Sequence, residues 1–432
     1  MKRIHFVGIG GIGISAIAKF LLQKGYFVSG SDIAKTQTTT ELASLGAVVT
    51  TPHNAQAVSE AKPDLLVYSA AIKPTNEEIV RAREMGVLVL SRKELLLDLL
   101  REMKVFAVAG AHGKSTTSAM LSAILGGNAI IGAIAKEFGS NMRFDVSSNE
   151  VVFEADESDS SFLNSNPYLA IVTNAEPEHM EHYGFDLTKF YAAYEEFLNK
   201  ATLRVVSDAD EFLRGYKDAV HLKEGDVKNI RVKLNGREPY TAFELKDYGE
   251  FEVYGLGEHI AIDAALAVLG AVALRSREAL ETIRNNLRRY KGTKKRFDIL
   301  VTRENFALVD DYGHHPTEIA ASLQSAKLYA QMLGLKQITA VFQPHRFTRL
   351  KANLRGFKEV FEGVRLVVLP VYAAGEADNG INLKDEFAGA TFSSRVWREG
   401  EFLKLENGEV LNEGLVIGFG AGDVSDMLRG FK

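Results

Sequence analysis

The sequence predicts an α/β protein of three domains: an N-terminal Rossmann-like parallel sheet, a central phosphate-loop ATPase-like α/β domain and a C-terminal Rossmann-like α/β domain. Three observations predict this. Short apolar runs alternate with helical patterns along nearly all of the 432 residues, the run 4–7 leads into Gly8-x-Gly10-x-x-Gly13, and the run 105–109 leads into a second glycine turn, Gly110-Ala111-His112-Gly113-Lys114-Ser115-Thr116. Strands alternating with helices signal parallel, doubly wound sheets. The length exceeds what one hydrophobic core usually supports, so several domains are expected.

Each element follows in order. Apolar runs at 4–7, 27–28, 47–49, 65–68 and 87–90 predict five buried strands, which make up a first domain over 1–102. The charged helix 92–103 then gives way to a strand at 105–109 and a helix over 117–125, opening a second domain over 103–296. Strands 151–153 and 169–173 and the helix 187–199 continue it, and the more polar 203–253 predicts hairpins at the sheet edge. The basic segment 288–296 reads either as a solvated linker or as a phosphate-facing loop, with Arg296 the member singled out. Strands 306–309, 338–342, 366–369 and 415–419 with the helix 318–333 form the third domain, 297–432, where Pro316 seats the first helical turn.

Composition narrows the function classes. The net charge is -5 without a long basic block, so there is no electrostatic footprint for nucleic acid or an anionic membrane. The absence of Cys excludes disulfides and thiolate metal sites and fits a reducing compartment, so the cytoplasm is the expected location. Lys2-Arg3 before an apolar stretch mimics an export signal, but Gly8, Gly10, Gly11 and Gly13 within it suit a nucleotide-binding turn instead. The apolar stretch 260–274 contains Asp263 and is shorter than the roughly 20 residues needed to span a bilayer, so no membrane segment is expected.

The chemistry is carried at predicted strand ends. The first glycine loop, with Asp32 closing the second strand, satisfies a dinucleotide fingerprint, and its physics of a diphosphate at a helix N-terminus suits NAD, FAD or a nucleotide-sugar alike. In the second loop small residues let backbone N–H groups wrap phosphates, Lys114 is a mobile cation and the Ser115 hydroxyl suits Mg2+. Val108 stands where the usual spacing has the first glycine, so this loop is a shortened variant. The strand 151–153 delivers Glu154, Asp156, Glu157 and Asp159, one of which is expected to help hold Mg2+, while His179 reads equally as a metal ligand or a surface histidine. After the third-domain strands come 310–316, with His314 and His315, and 343–349, in which Arg346 and Arg349 are suited to clamp a carboxylate or phosphate.

In this order the motifs resemble the Mur ligase family. The match runs through 4–13, 29–32, 110–117, 154–162, 173–179, 310–318, 343–349, 371–376 and 420–423. The resemblance implies UDP-sugar binding by Gly8, Gly10, Gly11, Gly13, Asp32 and Ser69, and ATP binding by 110–116 with His259 and Arg296. It implies Lys114 on the terminal phosphates, and Mg2+ among Ser115, Glu154 and His179, with Glu154 preferred over Glu157 because it directly ends the strand. His314, His345, Arg346 and Arg349, with Tyr312 beside them, would line the third-domain side of the site. The implied reaction uses ATP and Mg2+ to phosphorylate the carboxylate of UDP-N-acetylmuramate, and L-alanine attacks the acyl phosphate to give an amide for peptidoglycan synthesis, after domain closure. A monomer or homodimer is expected.

The sequence departs from the family pattern in three places. Family members carry His-Asn-x-x-Asn at an adenine-facing helix start, where this chain has His259-Ile260-Ala261-Ile262-Asp263. Ala111 and Ser115 stand where Thr is common, and the stretch 125–150 reads as a trimmed loop. Rival readings are a recycling ligase that takes a preformed tripeptide, an NAD-dependent oxidoreductase and a non-catalytic nucleotide sensor.

Overall fold

The computed structural model describes residues 2–69, 71–157, 160–178 and 180–431. The chain folds as two compact units, one of residues 1–229, 243–253 and 259–291, the other of residues 230–242, 254–258 and 292–432.

In the first unit β1 (Arg3–Val7), β2 (Phe27–Ser31), β3 (Val48–Thr50), β4 (Leu65–Tyr68) and β5 (Leu88–Ser91) form a sheet of order β3-β2-β1-β4-β5. Every neighbouring pair is parallel, as the strand-helix alternation predicts. Strand order reverses between β1 and β4, and the crevice at such a reversal is where open α/β sheets bind ligands. The glycine loop leaves β1 at this point.

The second sheet is built from β6 (Lys104–Ala109), β7 (Asn128–Ala135), β8 (Ser140–Arg143), β9 (Glu150–Glu154), β10 (Leu169–Val172), β11 (Leu203–Ser207) and β12 (Val220–Leu222), in the order β12-β11-β10-β6-β9-β7-β8. All neighbours are parallel except β7 and β8. Two expectations are corrected. The stretch 125–150 is no trimmed loop: 128–143 is an antiparallel hairpin that extends the sheet beyond β9. Its apolar residues are buried against the helix Ile12–Gln23, whose burial partners in this hairpin lie more than 100 residues away in sequence. The segment 203–253 is also not a run of edge hairpins. It supplies the parallel edge strands β11 and β12, and then a separate three-stranded sheet of β13 (Val227–Asn235), β14 (Glu238–Leu245) and β15 (Gly249–Tyr254).

The second unit holds β16 (Asp298–Thr302), β17 (Phe306–Asp311), β18 (Ile338–Phe342), β19 (Arg365–Val368) and β20 (Thr391–Phe392). A small antiparallel sheet, β21 (Val396–Glu399), β22 (Phe402–Leu405) and β23 (Val410–Leu411), precedes the last strand, β24 (Gly414–Phe419). The main sheet runs β16-β17-β24-β18-β19-β20, parallel apart from β16. Because β17 and β18 both pair with β24, the segments that follow these three strands emerge side by side at one sheet edge. Pro316 opens the helix Pro316–Leu333, with Glu318 closing a capping box back to His315.

Candidate active site

β6 lies between β10 and β9, so the carboxyl ends of the three strands place the phosphate loop between Thr173-Asn174 and Glu154. Gly110 and Gly113 hold φ of +134° and +81°, where a side chain is strained. Space is also lacking: a Cβ on Gly110 would meet Thr173 Oγ1 and lie 2.8 Å from Asn174 O, and one on Gly113 would lie 2.5 Å from Asp263 Oδ1. Thr173 Oγ1 donates to His112 O at 2.5 Å, Asn174 Nδ2 donates to the same oxygen at 2.9 Å, and His112 N donates to Asn174 Oδ1 at 3.2 Å. The loop is thus pinned from the neighbouring strand, while no side chain caps the helix Lys114–Leu125 that it opens. That leaves a helix N-terminus suited to an anion.

Two pairs set the electrostatics. Lys114 Nζ sits 3.0 Å from Glu157 Oε2, and the Ser115 hydroxyl donates to Glu154 Oε1 at 2.9 Å. Glu154 Oε2 accepts from Gly132 N at 2.6 Å, so β7 holds the second oxygen. Burial alone would push Lys114 down, but Glu157, Asp156 and Glu154 outweigh it and hold the ammonium above its usual range. Burial raises both Glu154 and Glu157, against the pull of Lys114. Ser115 and Glu154 present hard oxygens of the kind Mg2+ takes. Among the described residues no group of three or more His, Cys, Asp or Glu is arranged to hold a metal, and His179 lies outside the described residues. His259 is exposed at the start of the helix Glu258–Arg275, and Asp263, one turn on, is buried against the loop at Gly113.

The first glycine loop is closed by its own acid. Gly8 N and Ile9 N both donate to Ser31 O at 2.9 Å, and Gly10 N donates to Asp32 Oδ2 at 2.8 Å. Gly8 faces Ser69, whose Oγ would lie 2.8 Å from a Cβ there. Gly13 leaves room for a cation, since Arg92 Nη1 would lie 2.6 Å from its Cβ, while Arg92 Nη2 is 3.9 Å from Asp156. The helix that follows the first loop is tied to the β7–β8 hairpin: Asn141 Nδ2 donates to Ile12 O at 2.8 Å, and Lys19 Nζ donates to Asn141 Oδ1 at 3.1 Å.

The second unit gathers a different set. Arg296 lies 5.3 Å over the Tyr312 ring and 3.8 Å from Glu318. The Tyr312 ring meets His314 edge-on at 5.3 Å, and His314 meets His345 at 6.0 Å. Arg349 Nη1 lies 2.9 Å from His345 Nδ1. Arg346 is exposed and holds φ of +67°. Burial, with Arg349, His314 and Arg346 nearby, pushes His345 down to about 4, and burial likewise lowers His314. Burial lifts Asp311 to about 6, although Phe297 N and Gly313 N donate to it at 2.7 and 2.9 Å. Asp311 thereby ties together the segments that carry Arg296 and Tyr312.

Sequence reasoning brought Lys114, Ser115 and Glu154 to one place, and His314, His345 and Arg349 to another. It placed Thr173 and Asn174 at a strand end beside the phosphate loop without naming their bonds, and it assigned no role to Gly132, Arg92, Asn141 or Asp311. For Thr173 and Asn174 the signal was their position at a strand end; Gly132 and Asn141 have none locally.

The chain is similar to known proteins along its whole length. Residues 3–104 match the family model described as Mur ligase family, catalytic domain, and residues 295–400 match Mur ligase, glutamate ligase domain. A UDP-N-acetylmuramate--L-alanine ligase of Campylobacter curvus is 56% identical over 100% of both chains. One from Helicobacter pylori is 50% identical over 99% of this chain and 96% of its own. The crystal structure of a UDP-N-acetylmuramate-alanine ligase from Thermotoga maritima superposes with a TM-score of 0.82 at 30% identity, covering 99% of this chain and 98% of that one. With identity of this level over its whole length, the chain belongs to the Mur ligase family.

Proposed function

We propose that this chain is an ATP-dependent ligase that joins the carboxylate of UDP-N-acetylmuramate to L-alanine through an acyl phosphate, in peptidoglycan precursor synthesis. The observation that carries this reading is the 56% identity, from end to end, to a protein of that activity. Residues 1–102 then hold the UDP-sugar, 103–296 hold ATP, and 297–432 serve the amino acid. Among the described residues no helix is long and apolar enough to cross a membrane; a cytoplasmic site of action is part of the proposal.

The γ-phosphoryl group passes to the muramyl carboxylate, leaving ADP. The alanine amine attacks the acyl carbon, loses a proton, and inorganic phosphate departs from the tetrahedral intermediate. Lys114 neutralises charge on the transferring phosphoryl group, for which its raised pKa keeps it protonated. The backbone N–H groups of 110–116 orient the phosphates from a loop pinned by Thr173 and Asn174. Ser115, Glu154 and His179 are the residues that would hold Mg2+, which supplies charge neutralisation at the phosphates when bound. Arg346 and Arg349 suit anionic oxygens, with the neutral His345 as a hydrogen-bond donor. Gly8, Gly10, Gly11, Gly13, Asp32 and Ser69 form the UDP-sugar loop.

The test is phosphate release from MgATP and UDP-N-acetylmuramate with L-alanine, L-serine, glycine, a tripeptide or no acceptor. Release that depends on L-alanine, with an amide product by mass, is expected. Stimulation by tripeptide alone would transfer the chain to the recycling reaction, and silence with tight NADH binding would favour an oxidoreductase.

A further inference from the structure

Tyr372 takes no part in the reaction above, yet His345 rests on it. The two rings are stacked, with centroids 5.5 Å apart and 9° between their planes. Their backbones are joined as an isolated parallel bridge: Tyr372 N donates to Pro344 O at 2.8 Å, and Arg346 N donates to Tyr372 O at 2.9 Å. The second bond braces Arg346 in the left-handed region, which a residue with a Cβ rarely adopts. Gly422, after β24, makes the space. A Cβ there would lie 2.6 Å from Tyr372 Cγ and 2.5 Å from Gln343 Oε1. Three segments of the sheet edge therefore meet at this one ring.

The ring nitrogens show what His345 presents. A guanidinium only donates, so the Arg349 contact at 2.9 Å makes His345 Nδ1 the acceptor and leaves the imidazole hydrogen on Nε2. A flip of the ring would break that bond, and a rotation would break the stack. Removing the Tyr372 ring would leave only the Arg349 contact, which holds a single atom of His345 and does not fix the plane of its ring.

We propose that Tyr372 is a positioning residue for the amino-acid acceptor: its ring fixes the His345 imidazole and its backbone fixes Arg346, so that His345 Nε2–H and the Arg346 guanidinium form a single donor set for the acceptor's carboxylate. This rests on the L-alanine reading above. A positioned donor set favours a small zwitterion over an uncharged amine, because orientation is supplied by the enzyme before the carboxylate arrives.

The test is steady-state kinetics on the full-length chain and its Tyr372→Phe, Tyr372→Leu and Tyr372→Ala variants, varying L-alanine, MgATP and UDP-N-acetylmuramate in turn. The stack uses the ring and not the hydroxyl, so Tyr372→Phe is expected to stay within about twofold of wild type, while the Leu and Ala variants raise the KM for L-alanine about three- to tenfold. The KM values for both nucleotides and the melting midpoint should stay unchanged. Tyr372→Leu keeps an apolar side chain in the Gly422 slot and carries the test if the Ala variant does not fold. An unchanged alanine KM in Tyr372→Leu, an equal rise in all three KM values, or a Phe variant as impaired as Leu would each overturn the positioning role while the wild type still turns over. A wild type that releases no phosphate with L-alanine would instead overturn the parent reading, and this role with it.

Discussion

Replacing Lys114 by Ala separates what that residue does for the fold from what it does for the reaction. Its ammonium is 3.0 Å from Glu157, a carboxylate 1% exposed. Removing one member of a buried pair costs about 3–5 kcal/mol when the other stays charged. Glu157 has an alternative, which is to take up a proton. At pH 7.5 this costs about 1.4 kcal/mol for each of roughly three units above the ordinary glutamate pKa, or about 4 kcal/mol; at pH 5.5 it costs about 1.6 kcal/mol. The sign follows from a folded-state pKa raised above the unfolded one: the associated stability is complete below the unfolded pKa and is lost as pH rises through the folded value. Denaturant unfolding of Lys114→Ala should therefore show a deficit that grows from pH 5.5 to pH 7.5. Lys114→Ala/Glu157→Gln should recover the part of the deficit owed to Glu157 at both pH values, leaving the part owed to Glu154 and Asp156, which also face the lost ammonium. Neither variant should form ADP, since the phosphoryl group has lost its cation. A deficit independent of pH, or one untouched by Glu157→Gln, would refute the pairing argument; ADP formation near the wild-type rate would remove Lys114 from the chemistry.

Three further outcomes are expected. In Gly132→Ala the new Cβ meets Glu154 Oε1 and lies 2.8 Å from its Cδ, so the carboxylate must swing away from Ser115. Overpacking of this kind costs about 1–3 kcal/mol, and phosphate release should need more Mg2+ with an unchanged KM for L-alanine; an unaltered Mg2+ titration would reject the role given to Glu154. Asp311, lifted to about 6, contributes stability that is complete below its unfolded pKa and lost as pH rises through 6. The full loss is about 3 kcal/mol, of which about 2 kcal/mol falls between pH 4.5 and 7, and Asp311→Asn, which cannot titrate, should lack this pH dependence when denaturant midpoints at those two pH values are compared. Finally, His345, held near 4, should remain neutral with its hydrogen on Nε2 from pH 5 upward. Nitrogen NMR, assigned with His345→Gln, would refute this if the ring titrates near its ordinary value of about 6.5.

Both glycine loops, the strands that deliver them and the acid at the end of β9 were legible from the chain alone. Each depends on local chemistry: glycine where φ is positive, an apolar run of strand length before it, and helical periodicity after it. The order of the motifs was equally legible and named the family. The hairpin of β7 and β8 was not, because Asn128–Ala135 carries no alternation of apolar and polar residues and its burial against Ile12–Gln23 depends on residues more than 100 positions away. The strand Asp298–Thr302 was also missed, behind a basic segment that reads as a linker or as a phosphate-facing loop.

What the sequence by itself determined is the set of reactive groups and the strand ends that carry them, since residue type and short-range spacing are properties of the chain. Only the tertiary structure decided which partner each group meets. Ser115 faces Glu154, the acid preferred from its place at the strand end, while the pairing of Lys114 with Glu157 three positions on came only from the fold. Asp263 comes to Gly113 across 150 residues, and Tyr372 to His345 through the space left by Gly422. Such pairings are fixed by strand order and close packing, which act between segments distant in the chain and leave no periodic trace within either one.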